Sequence, residues 1–217
     1  MSPRTKEQNE GIRKQRKQEI LQAAILVYAD KGYSATEVGD IAAKAGLARG
    51  LVYHYFENKQ TLFRELYEHM MGKTKQTTIS HFGQEGSALE LLNEYAGLVC
   101  RQVMEEPAVA RYYMRISLDI HFLYTEDQFS SFEWVKDFIQ PMTLTIEKGM
   151  QEGTIRQGSA GLMAMQFWGA ISQGMNYLGQ LQQELHEKVT SEQEIKERLA
   201  AVLEQVSETA LAILRPE

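Results

Sequence analysis

Gly46 lies between two short stretches of helical period, and this arrangement constrains the fold more than any other feature of the chain. Ahead of it, Val38, Ile41 and Ala42 form one apolar face. Thr36 stands where an N-cap hydroxyl accepts from the unpaired amides of the next turn, so a helix is predicted from there to Ala45. Glycine at 46 supplies the left-handed backbone that ends such a helix, and Leu47 is expected to turn inward as the chain reverses. A second short helix is predicted over about residues 48–55. Stepping about 100° per residue places Ala48, Val52, Tyr55 and Phe56 on one arc and Arg49, Gly50, Tyr53 and His54 on the other. One arc packs and the other is left for a partner, which is the sequence form of a helix-turn-helix.

The flanks extend the same pattern. Ile20, Leu21, Ala24, Val27 and Tyr28 recur at helical spacing and Gly32 follows, so a first helix is predicted over about residues 12–31. Asn58 is placed to cap a fourth helix, about 58–80, with a stripe of Leu62, Phe63, Leu66, Tyr67, Met70 and Met71. Beyond residue 80 helical periodicity continues, and no β-branched alternation bounded by turn residues interrupts it. Helices are predicted over about 87–104, 107–123, 126–152, 159–184 and 192–214, with Pro141 kinking the third of these. The expected fold is all-α. A three-helix DNA-binding domain occupies residues 1–60, a helix of about 58–80 links it onward, and a larger helical domain fills 61–217.

Charge divides the chain in the same place. The net charge is −6, yet residues 1–60 hold ten Lys/Arg against seven Asp/Glu and the remainder is strongly acidic. Arg4, Lys6, Arg13, Lys14, Arg16 and Lys17 make a cationic lead-in suited to phosphates, and a solvated tail is the alternative reading of that run. The absence of a long apolar run or a leader-like segment points to the cytoplasm and to no membrane partner. Cys100 is the single cysteine, and the five histidines have no metal-ligand spacing. With neither a phosphate-binding loop nor a dinucleotide fingerprint, no enzyme activity, metal or cofactor is expected.

The stretch TEVGDIAAKAGLARGLVYHYFENKQTL, Thr36 to Leu62, resembles the DNA-binding signature of the TetR/AcrR family of bacterial transcriptional regulators. The resemblance is carried by Thr36, Ile41-Ala42, Ala45-Gly46-Leu47, Gly50, Tyr53-His54-Tyr55-Phe56, Lys59 and Leu62. Ala48 departs from the Ser or Thr common at the start of the second short helix, and Thr61 from an acidic residue. The resemblance implies that Thr36, Tyr53, His54, Tyr55 and Lys59 contact the DNA backbone, Ala48 opening the helix that lies against it. Arg49 is the candidate base reader, since its fork matches the O6 and N7 acceptors of guanine, and Gly50 permits close approach. A core position is the alternative for Tyr55.

Family likeness further implies a homodimer on a palindromic operator, a repressor released by a small apolar or amphipathic ligand. The helix predicted at 159–184 is apolar on two sides and must pack on two sides. Met165, Gly174, Met175 and Leu178 there, with Leu199, Val202 and Val206 of the last helix, are candidates for the dimer seam, the alternative being intrachain core. Tyr112, Tyr113, Phe122, Phe132, Phe138, Met142 and Trp168 are candidates for the ligand pocket, and plain core is again the alternative. The rival function is a DNA-binding nucleoid or interaction protein without ligand response, which competition by random DNA distinguishes.

Overall fold

A computed structural model describes residues 6–188 and 191–216. Among these the chain is helical throughout its regular structure: α1 (Lys6–Ala35), α2 (Val38–Lys44), α3 (Arg49–Tyr55), α4 (Lys59–Phe82), α5 (Ala88–Glu105), α6 (Pro107–Asp119), α7 (Ser131–Gln151), α8 (Ala160–Lys188) and α9 (Glu192–Ala212). A single 3-10 turn, Ile120–Phe122, follows α6. The all-α expectation therefore holds, and the element order follows the predicted one.

Boundaries differ where side chains from elsewhere take over the backbone's hydrogen bonds. The helix expected over 107–123 ends at Asp119, because the carbonyls of Phe122 and Leu123 are satisfied by the Gln60 amide and that of Leu123 also by the Arg64 guanidinium. The helix expected from 126 starts at Ser131, where the Ser130 hydroxyl accepts the Glu133 amide at 3.3 Å as an N-cap. Pro141 lies inside α7, which continues through it, and Phe138, Met142 and Ile146 are all buried on its inner face. Thr36 does not cap α2. Glu37 holds that position, and the Asp40 carboxylate reaches back to the Glu37 amide at 3.3 Å.

The chain forms two compact units. One comprises Met1–Met71 with Arg111–Phe129; the other comprises Gly72–Ala110 with Ser130–Glu217. Sequence reading places the division at residues 60 and 61, whereas contacts group the start of α4 and the Arg111–Phe129 segment with the N-terminal helices. In the first unit α1 packs on α2 and α2 on α3, and Ile20, Ala24, Tyr28, Ile41, Val52, Phe56, Phe63 and Leu66 are buried.

The second unit has its own core, drawn from α5, α7, α8 and α9 around Leu92, Tyr95, Met142, Phe167, Ile171 and Leu178. Buried polar groups there are paired: the Thr78 and Tyr95 hydroxyls lie 2.7 Å apart, and His81 Nε2 donates to the Leu91 carbonyl at 2.7 Å. Helices α8 and α9 approach closely at Gly174, where an added Cβ would come within 3.0 Å of both Val206 methyl groups. Valine is branched at Cβ and has no flexible end to move aside. Gly174→Ala is therefore expected to destabilise the protein by about 1–3 kcal/mol through overpacking, seen as a lower urea midpoint. Pairing it with Val206→Ala should recover part of the loss.

Candidate nucleic-acid interface

The α2–α3 turn is built by backbone chemistry. Gly46 has φ +67, its amide donates to the Ala43 carbonyl at 3.1 Å, and the Leu47 amide donates to the Ala42 carbonyl at 2.9 Å. This pair of bonds is a Schellman motif, which satisfies the last carbonyls of α2 and reverses the chain over three residues. No atom lies within 4 Å of a Cβ built at Gly46, so conformation and not space selects glycine here.

The next helix begins at Ala48, whose extended backbone offers its carbonyl to the Leu51 amide but has no side-chain cap. Burial of Val52 and Phe56 anchors one face of α3, with Leu51 and Tyr55 half-buried beside them. The opposite face is open: Arg49, Gly50, Tyr53 and His54 are exposed, and a Cβ at Gly50 would meet nothing within 4 Å. Ala48 is exposed as well, although the helical arc had placed it inward, because as N-cap it lies off the helical wheel. Within the open face the Arg49 guanidinium lies 5.6 Å from the Tyr53 ring centroid and donates to the Tyr53 hydroxyl at 3.3 Å. This i, i+4 pair holds the arginine along the helix axis.

Two other expected contacts are tied into the scaffold. Thr36 is fully buried and its hydroxyl donates to the Gly32 carbonyl at 2.6 Å, so it closes the α1–α2 turn and presents no hydroxyl to a phosphate in this conformation. Lys59 is half-buried. Its ammonium lies 4.4 Å from the Tyr33 ring centroid and donates to the Ser34 carbonyl at 3.3 Å, and burial lowers its pKa. Asn58 caps α4 as expected, its side-chain oxygen accepting the Thr61 amide at 2.9 Å. Of the cationic lead-in, Lys6, Arg13, Lys14 and Arg16 are exposed on α1, whereas Lys17 bonds both carboxylate oxygens of Glu65; Arg4 falls outside the described residues.

The candidate pocket residues divide between the units. Tyr112, Tyr113 and Phe122 belong to the first: Tyr112 is buried edge-on to Tyr28, Tyr113 donates to the Met70 carbonyl, and Phe122 stacks on Tyr33. Phe138, Met142 and Trp168 belong to the second, with Trp168 edge-on to Phe138. Nothing is described for the Phe132 side chain. The Tyr112 hydroxyl is buried without a hydrogen-bond partner among the described residues. Of the seam candidates, Leu178 and Leu199 are buried in the second unit's own core, Gly174 and Val206 face each other, and Met175 and Val202 are half-buried. Met165 is 51% exposed, and on the same helix Leu162 and Tyr177 are 55% and 57% exposed, so an apolar strip of α8 remains uncovered.

Sequence reasoning missed the polar anchors of Arg111–Phe129. Arg115 donates to the Ala29 and Asp30 carbonyls, Arg111 pairs with Asp30 at 3.1 Å, and Asp119 accepts from Tyr28 and Tyr33. Their partners lie 81 to 91 positions away in sequence, and no local pattern marks them.

Residues 20–66 match the family described as bacterial regulatory proteins, tetR family. Over 68 residues the chain is 37% identical to the HTH-type transcriptional regulator AcrR of Shigella flexneri, spanning 31% of this chain and 30% of that protein. It is 34% identical over 74 residues to the fatty acid metabolism regulator protein of Bacillus subtilis, covering 34% of this chain and 38% of the relative. The matched segment thus spans about a third of these relatives. In three dimensions the chain is similar over 90% of its length to FadR of Bacillus subtilis, solved in complex with stearoyl-CoA, with a TM-score of 0.66 at 20% identity and 98% of that chain covered. No helix among the described residues is long and apolar enough to cross a membrane.

The turn supplies a test of the site's construction. Gly46→Ala places a Cβ on a left-handed backbone and is expected to destabilise the protein by about 1 kcal/mol, while Gly46→Asn loses less. Urea denaturation of the two variants measures the difference, and equal midpoints for Ala and Gly would refute a conformational requirement at this position.

Proposed function

We infer that this chain, which belongs to the TetR family of bacterial regulatory proteins through its helix-turn-helix, is a homodimeric cytoplasmic repressor that binds a palindromic operator and releases it on binding an amphipathic ligand. The observation that carries this reading is the open Arg49-Gly50-Tyr53-His54 face of α3, held outward by the Gly46 turn. A helix with one buried and one open face fits the width of the major groove. Arg49 is the base reader. Tyr53, His54, Tyr55 and Lys59 contact phosphates, and Ala48 and Gly50 keep that end of the helix slim against the duplex. Lys59 reaches a phosphate by leaving the Ser34 carbonyl, and Thr36 serves as the turn's internal brace.

One such helix reads only a half-site, so two copies place their α3 helices about 34 Å apart. The uncovered Leu162, Met165 and Tyr177 strip of α8 supports the dimer, because an apolar face of this kind gains by burial against its own copy. Small flanking residues, Gly169 on α8 and Ala200 and Ala201 on α9, allow close approach. The ligand proposal is supported by the likeness to a solved regulator holding stearoyl-CoA and by the aromatic and methionine content of α6 to α8. Ligand acts by favouring the conformation whose reading heads no longer match successive grooves.

Selection of binding sites from random duplexes tests the reading head. Arg49→Ala is expected to weaken binding to the selected duplex by roughly 1–3 kcal/mol and to flatten preference at one base pair of each half-site. Lys59→Ala should weaken binding to all sequences alike and lower the salt slope by about 0.9. Selection that returns no preferred sequence with the wild-type protein would contradict the operator reading. For the sensing half, stearoyl-CoA and free stearate serve as probes: at least one is expected to raise the Kd for the selected duplex, and indifference to both removes the long-acyl class. Sedimentation at micromolar protein is expected to show a dimer that Met165→Glu weakens.

A further inference from the structure

The break in α1 is held by a residue far away in sequence. Gly32 leaves the helical region with φ +73, and the amide that follows it, on Tyr33, is accepted by Asp119 Oδ2 at 3.1 Å. The same oxygen accepts the Tyr28 hydroxyl at 2.8 Å, and burial, with the neighbouring carboxylate, raises the phenol's pKa, so the proton stays on tyrosine. Arg115, one turn earlier on α6, donates to the Ala29 and Asp30 carbonyls, and its guanidinium occupies the space beside Gly32, 2.9 Å from where a Cβ would lie. Three residues after Asp119, the Phe122 ring stacks on Tyr33 at 5.0 Å and 15°. Tyr33 in turn seats the Lys59 ammonium on its face.

We propose that Asp119 is a positioning residue for DNA binding: accepting from Tyr28 and Tyr33 through one oxygen, it fixes the α1 break and with it the ring that seats Lys59. The inference rests on the DNA-binding reading above and adds a residue outside the helix-turn-helix to it. Asp119 acts through Tyr33, not by touching the duplex. Loss of the acceptor frees the Tyr33 amide and hydroxyl of Tyr28 together, and Lys59 loses a fixed seat.

The test uses the full chain and a labelled duplex recovered by selection with the wild-type protein. Asp119→Ala is expected to raise Kd about tenfold and to lower the salt slope by about 0.9, the signature of one lost phosphate contact. A variant that is merely less stable loses active fraction and keeps the wild-type slope. Asp119→Asn retains an oxygen that both donors can reach, so its Kd should stay within about threefold of wild type with the slope restored. Wild-type affinity in Asp119→Ala, an unchanged slope, or an Asn variant as weak as Ala overturns the proposal. Should Asp119→Ala fail to fold, Tyr28→Phe keeps the ring and removes one donor; about threefold weaker binding supports the positioning role and unchanged binding overturns it. A wild-type protein that selects no duplex fails the DNA-binding reading itself, a result distinct from wild-type binding that Asp119 does not influence.

Discussion

A helix of seven residues has no stability of its own in water, since nucleation is unfavourable and too few bonds follow to offset it. Both α2 and α3 have this length. Their persistence, and so the outward face of α3, depends on the packing of α1 on α2 and of α2 on α3, with Ile41, Val52 and Phe56 buried. Each such side chain contributes on the order of 1.5–3 kcal/mol on burial. What α3 presents to solvent is therefore decided by what it buries: Val52 and Phe56 inward leave Arg49 and Tyr53 no direction but outward.

This dependence explains why the reading head is legible in the sequence. Its determinants are local: a helical period, the left-handed glycine at 46 and the cap at Asn58 all act within five residues of the position they control. The exceptions are local competitions that composition cannot resolve. Thr36 is the expected cap, but its hydroxyl is taken by the Gly32 carbonyl one turn back and Glu37 holds the N-cap position instead.

Legibility falls off with sequence separation. The end of α6 differs from its expected place because Gln60 and Arg64 satisfy carbonyls about sixty positions away, which ends a helix that periodicity alone would continue, and α7 starts later because Ser130 caps it. Apolar residues were equally ambiguous in the larger unit. Leu178 and Leu199 share a helical stripe with Met175 and Val202, yet the first two are buried and the second two only partly so. Period identifies a face; it does not identify the partner. The aromatic residues of α6 to α8 have the same character, and their division between two units was invisible to spacing.

Charge adds a last constraint on how the first unit meets a polyanion. Lys17 is held by Glu65, Lys31 by Asp40, Arg111 by Asp30, and Arg64 and Arg115 by backbone carbonyls. These cations brace the unit through ion pairs and carbonyl contacts. On the proposed DNA-binding reading, phosphate contact falls to side chains exposed along α1, such as Arg13 and Lys14, to the α3 face and to Lys59. If Arg49 reads a base as proposed, its contact with Tyr53 lowers the cost, because an arginine already restrained along its helix gives up less freedom than one free to sweep the solvent.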